Sequence, residues 1–174
     1  GLGFSTSDGP LGDIGIRERN LLGRGQDLRL DLSLSGRRSQ VNLSFTEPYF
    51  LDREMSAGVD VFRTETNRRE SSFDERNLGA GVRLGYDVSE FLRQTLRYTI
   101  SRNEIRDVDS DASLAIQEQE GRTISSVVGQ ELIYDLRDNR FDPREGYFVR
   151  LRNDVAGLGG DVSYLRNRLG AAYY

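Results

Sequence analysis

Asp27-Leu28-Arg29-Leu30-Asp31-Leu32-Ser33-Leu34-Ser35 carries a leucine at every second position and a charge or a serine at the others. Successive side chains of a β-strand point to opposite faces, so this segment makes a strand with one face of leucine and one hydrophilic face. A sheet of such strands borders two different solvents.

The pattern continues on both sides of that segment. Residues 40–46 set Val41, Leu43 and Phe45 on one side, and the polar turn Gly36-Arg37-Arg38-Ser39 joins them to the leucine strand as a hairpin. In 55–64, Ala57, Val59 and Val61 alternate with Ser56, Gly58 and Asp60. In 77–87, Leu78, Ala80, Val82, Leu84 and Tyr86 oppose Gly79, Gly81, Arg83 and Gly85. Glycine packs nothing in a strand, so a glycine face is expected where a sheet curls or a loop approaches closely. Further strands are expected at 1–5, 12–19, 91–101, 122–136, 147–156 and 162–174, which brings the candidates to about ten. On the polar faces, Arg83 with Asp87, and Arg150 and Arg152 with Asp154, read as an internal charge network.

Composition fits a membrane sheet better than a packed core. The 174 residues include 19 glycines and only 36 % hydrophobic residues, and mean hydropathy is −0.58. No stretch approaches the ~20 apolar residues that a membrane helix needs, but a barrel strand needs only ~9–11, half of them facing a polar lumen. There is no Cys and no His, and all 24 basic residues are arginine. Without Cys, His or Lys the usual activated nucleophiles and bases are missing, so no catalytic residue, cofactor or metal is assigned. With 28 acids the net charge is −4, which argues against a nucleic-acid partner. Asp107, Asp109, Asp111 and Glu118 have calcium-loop spacing, but Ala112 stands where the sharp turn needs Gly and the flanks read as strands. An acidic solvated loop is the better reading.

The connections carry the most specific residues. Ser44-Phe45-Thr46-Glu47-Pro48-Tyr49-Phe50-Leu51-Asp52-Arg53 resembles the SFTDPYFLDR turn of the BamA family, the outer-membrane protein assembly factors of Gram-negative bacteria. Asn20-Leu21-Leu22-Gly23-Arg24-Gly25 is similar to that family's NFLGTG turn. Asp135-Leu136-Arg137-Asp138 with Pro143 and Gly146 is similar to its later D-x-R-D-x-x-x-x-P-x-x-G turn. Pro48 and Pro143 would end strands and Gly25 and Gly146 would supply positive φ before the next strand, while Tyr49 and Phe50 suit the headgroup level.

The resemblance implies an all-β fold: an antiparallel transmembrane β-barrel, here about ten strands of a 16-stranded one. Residues 1–174 would be its N-terminal part, an internal piece of a longer precursor, with neither POTRA domain nor closing strands. It implies an outer-membrane location and an insertase that templates incoming barrels on the edge of its first strand. Gly1, Leu2, Gly3, Phe4 and Ser5 would be that gate strand, and Glu47, Pro48, Tyr49, Phe50, Leu51, Asp52, Asp138, Pro143 and Gly146 the family turn residues. The implied partners are nascent outer-membrane β-barrel proteins, accessory assembly lipoproteins and outer-membrane lipid. A passive pore or secretion barrel of the same superfamily, and a soluble β-sandwich binding module, are the competing readings.

Overall fold

The computed structural model describes residues 1–5, 9–68, 73–108, 113 and 117–174, with backbone alone for 2–5, 9, 10 and 68. Ten strands form one antiparallel sheet in chain order. They are β1 (Leu2–Ser5), β2 (Gly9–Leu21), β3 (Gln26–Ser35), β4 (Arg38–Glu47), β5 (Met55–Arg68), β6 (Phe73–Asp87), β7 (Leu92–Arg106), β8 (Gly121–Asp135), β9 (Tyr147–Ala156) and β10 (Tyr164–Tyr173). Among the described residues each pairs only with its chain neighbours, so β1 and β10 are both edges and the sheet is open there.

Register turns the period-2 pattern into two continuous faces. Leu28, Phe45, Val59, Val82, Tyr98, Val128, Val155 and Leu165 are consecutive cross-strand partners from β3 to β10 and form an apolar row. Their preceding or following neighbours Asp27, Thr46, Gly58, Arg83, Arg97, Gly129, Asp154 and Arg166 form the matching row on the other face. A one-residue slip at any ladder would put leucine among arginines, which fixes the register. Pro10, which has no N–H to donate, stands where β2 has run past the end of β3, whose last partner is Leu11.

No second layer covers the apolar face among the described residues. Among the described residues Ala156 is the single buried hydrophobic residue and it lies on the polar face, whereas Ile14, Ile16, Leu34, Val59 and Val82 on the apolar face are each about half exposed or more. A soluble sandwich would bury these residues between two sheets about 10 Å apart. The sandwich reading is therefore set aside.

Several strands are longer than the alternation suggested, β5, β6 and β7 at their shared end among them. Pairing between β5 and β6 runs on to Arg68 and Phe73, so Glu65 and Arg76 are facing strand residues rather than loop. β7 likewise continues to Arg106. At these ends both faces are polar, and an apolar/polar alternation cannot mark a strand there.

Candidate functional site: an open strand edge and three braced turns

The first candidate is backbone. Gly1 and Asp13 exchange two hydrogen bonds, the Gly1 amino group donating to the Asp13 carbonyl at 2.6 Å and the Asp13 N–H to the Gly1 carbonyl at 2.8 Å. In an antiparallel ladder such bonded pairs recur every second residue, so Gly3, opposite Leu11, also bonds toward β2. Leu2 and Phe4 therefore turn their N–H and C=O to the other side, where no strand lies among the described residues.

The three turns lie at one end of the sheet and are held by their own polar atoms. In the first, Asn20 Oδ1 accepts the Gly25 N–H at 2.7 Å, and Leu22, Gly23 and Gly25 all have positive φ. In the second, Glu47 accepts the Tyr49 N–H at 3.2 Å with one oxygen and the Gln26 side chain at 2.7 Å with the other. Glu47 thereby ties this turn to the start of β3, and the Pro48 ring lies over Gly25. Leu51 and Asp52 take left-handed backbone at φ 59° and 57°, a cost that the fold accepts at two non-glycine residues. Tyr49 and Leu51 are mostly exposed and Phe50 partly so.

In the third turn, Asp138 Oδ1 accepts the N–H groups of Arg144 at 3.0 Å and Glu145 at 3.2 Å. Those two donors hold its carboxyl below the usual carboxylate range. Arg137 grips Asp135 with Nε at 2.8 Å and Nη2 at 2.9 Å and lays its guanidinium over the Phe148 ring at 4.7 Å. Gly146 has φ 110°, and a Cβ there would sit inside the Leu136 carbonyl oxygen. Pro143 lies in this turn between Asp138 and Gly146.

The polar face holds an arrangement that the sequence did not disclose. Arg83 reaches across Gly58 to Asp60, Ser44 and Thr46 on β4 and β5. Its partner is Asp60 and not Asp87, which instead lies 3.8 Å from Arg93. Arg97, directly opposite Arg83 in the ladder, leans the other way across Gly129 toward Asp154 at 3.9 Å. Arg152 approaches the same Asp154 at 3.5 Å, as expected, while Arg150 lies over Phe148. Gly58 and Gly129 are thus explained by arginine side chains lying over them, not by a loop coming close.

Among the described residues no group of three or more His, Cys, Asp or Glu could hold a metal ion. Asp109, Ser110, Asp111 and Ala112 of the acidic loop lie outside the described residues. No helix is long and apolar enough to cross a membrane, which says nothing of strands.

The comparisons agree with this geometry. The chain is 31 % identical to the outer membrane protein assembly factor BamA of Neorickettsia risticii over 95 % of its own length and 22 % of that protein's. It is 33 % identical to BamA of Nitratidesulfovibrio vulgaris over 95 % of the chain and 21 % of that protein, so it spans about a fifth of these relatives. A SAM50-like protein of Drosophila melanogaster is 32 % identical over 83 % of the chain. In fold it is similar to the crystal structure of BamA from Haemophilus ducreyi lacking POTRA domains 1–3, with TM-score 0.71 and 21 % identity over 98 % of this chain and 35 % of that one. The Omp85 superfamily domain matches residues 20–174, and the chain belongs to that superfamily.

Proposed function

We propose that this chain is the N-terminal part of an Omp85 barrel in the bacterial outer membrane that assembles other outer-membrane β-barrel proteins, with the free edge of β1 as the template. The observation that carries the reading is β1 itself, a four-residue strand whose outward N–H and C=O groups at Leu2 and Phe4 meet no strand among the described residues, on a sheet whose apolar face is bare. In hydrocarbon an unsatisfied N–H or C=O costs several kcal/mol, so such an edge is stable only when another strand covers it. An incoming barrel strand would do so by β-augmentation, gaining backbone bonds and losing its own exposed edge in one step. Specificity then comes from the register of alternate side chains, and no catalytic group is required.

The rest of the sheet supports that role. From the Tyr86 row to the Arg76 row, ten residues of β6 rise about 33 Å, or roughly 25 Å at a ~40° tilt, the height of an outer-membrane apolar band. Tyr86, Tyr134, Tyr147 and Tyr173 lie on the apolar face near the turn end, and the Tyr134 and Tyr147 rings are 5.8 Å apart. Tyrosine at that level is an interfacial belt. Accessory lipoproteins would meet the protein on the turn side, where Tyr49 and Leu51 are exposed.

The test follows from the ladder. Proline at Leu2 or Phe4 removes an N–H that points to the open edge and leaves the bonds from Gly1 and Gly3 to β2 in place. In the full-length protein both variants should fold, shown by heat-modifiable migration, yet fail to assemble a client barrel in proteoliposomes. Normal client assembly would sink the template reading. Steady ion conductance with no effect on client folding would favour a passive pore.

A further inference from the structure

We propose that the long-connection rim of the apolar face binds the phosphate groups of an anionic lipid in the adjacent leaflet. The proposal rests on the reading that this face meets hydrocarbon, and it adds a headgroup chemistry to it. One rank of cross-strand partners runs Val41, Arg63, Leu78, Arg102, Ile124 from β4 to β8, alternating hydrocarbon with guanidinium. The next rank outward runs Ser39, Glu65, Arg76, Glu104, Arg122. Both ranks are on the same face as Val59 and Val82, because they are an even number of residues away along each strand. This is where a bilayer changes from tails to headgroups.

The charges within these ranks are arranged unevenly. Glu104 is 8 % exposed, lying among Arg102, Arg106 and Arg122, whereas the Arg63, Arg76 and Arg106 side chains are 53 %, 41 % and 52 % exposed. Glu65 is shared by Arg63 and Arg76, so each guanidinium keeps donors that its carboxylate does not use. Asp74 faces Arg106 one rank further out. Across these ranks five arginines, Arg63, Arg76, Arg102, Arg106 and Arg122, meet three carboxylates, Glu65, Glu104 and Asp74, so the rim is net cationic and the rank whose charges are all arginine lies next to the apolar face. Guanidinium meets phosphate with two parallel N–H donors, and Leu78 and Ile124 between the arginines offer apolar contact to the first methylenes of the acyl chains. A simple solvated ion-pair ring would not need exposed leucine and isoleucine interleaved with its cations.

The full-length protein should be placed in phosphatidylcholine nanodiscs containing diphosphoryl lipid A, and the lipid retained after extraction measured by native mass spectrometry. Wild type should keep diphosphoryl lipid A in preference to phosphatidylcholine, with retention falling as salt rises. Replacing Arg63, Arg76, Arg102 and Arg122 together by Gln should weaken that retention by roughly tenfold or more, because four cations that attract an anionic surface are lost. Replacing Arg150 and Arg166 on the polar face should leave it unchanged. Should the fourfold variant fail to fold, Arg102→Gln with Arg122→Gln, together with the wild-type salt series, decides the matter. Equal retention by the rim variants, or no preference of wild type for the phosphorylated lipid, overturns the proposal. A protein that stays outside the nanodisc overturns the membrane reading beneath it.

Discussion

The guanidinium of Arg83 lies across Gly58 so closely that a Cβ on Gly58 would come within 2.5 Å of Nε and 2.8 Å of Cζ. Arg83 reaches Asp60, Ser44 and Thr46 only along this path. A glycine that costs strand stability by itself thus opens the route by which a cation on the polar face finds its carboxylate. Arg97 and Gly129 repeat the device in the opposite direction, which separates two arginines that face each other in the ladder.

Gly58→Val should therefore drive Arg83 off its partners and destabilise the folded sheet by about 1–3 kcal/mol. Urea unfolding of the full-length protein in detergent would measure it. Because the damage passes through Arg83, the double variant with Arg83→Ala should lose less than the sum of the two single losses. Strict additivity would show that Gly58 and Arg83 act separately.

A second test concerns the junction of the third turn with β9. At Gly146 a side chain meets both φ 110° and the Leu136 carbonyl, so Gly146→Ala should cost about 1–3 kcal/mol. At Gly170 a Cβ meets nothing within 4 Å, and Gly170→Ala should be close to neutral. Heat-modifiability on electrophoresis compares the two, and equal behaviour would contradict the assigned turn.

Asp138 makes the same turn pH-dependent. Its folded carboxyl titrates below the unfolded one because the Arg144 and Glu145 N–H groups favour the charged form. Its contribution is then present above the unfolded pKa and is lost as pH falls through the lower folded value. Amide exchange at Arg144 and Glu145, taken relative to the intrinsic rate at each pH, should speed up as the solution is acidified below the ordinary aspartate range. In Asp138→Ala it should be fast throughout, and a wild type whose turn protection ignores pH would rule the carboxylate out as the clasp.

Much of this was legible in the chain, and the parts that were not have a common cause. Leu28 to Leu34 and Val41 to Phe45 announced their strands because one face is apolar, and Pro48 and Gly25 announced turns because their backbone preferences are extreme. The partner of Arg83 was misassigned because Asp87 is near in sequence. Four residues along a strand is about 13 Å, whereas the next strand is about 5 Å away, and Asp60 is on that strand. Glu65, Arg76 and Glu104 were hidden for a related reason, since strand ends that are polar on both faces have no period to read. The tyrosine belt takes its members one to a strand, from β6, β8, β9 and β10, so it exists only once register is set.

The bilayer assignment itself yields the sharpest pair of substitutions, because Asn42 and Leu43 are adjacent in β4 and face opposite ways. Leu43 lies between Leu30 and Val61 in the middle of the apolar face, and Leu43→Arg would put a cation at hydrocarbon depth at a cost of about 2–4 kcal/mol. Asn42 lies between Asp31 and Phe62 on the polar face, where Asn42→Arg gains a carboxylate partner and should be tolerated. Folding of both variants into lipid vesicles, followed by protection from added protease, reads the difference directly. If Leu43→Arg inserts as well as Asn42→Arg, the leucine face does not meet lipid; if only Asn42→Arg inserts, the alternation that begins at Asp27 and Leu28 is an alternation between water and hydrocarbon.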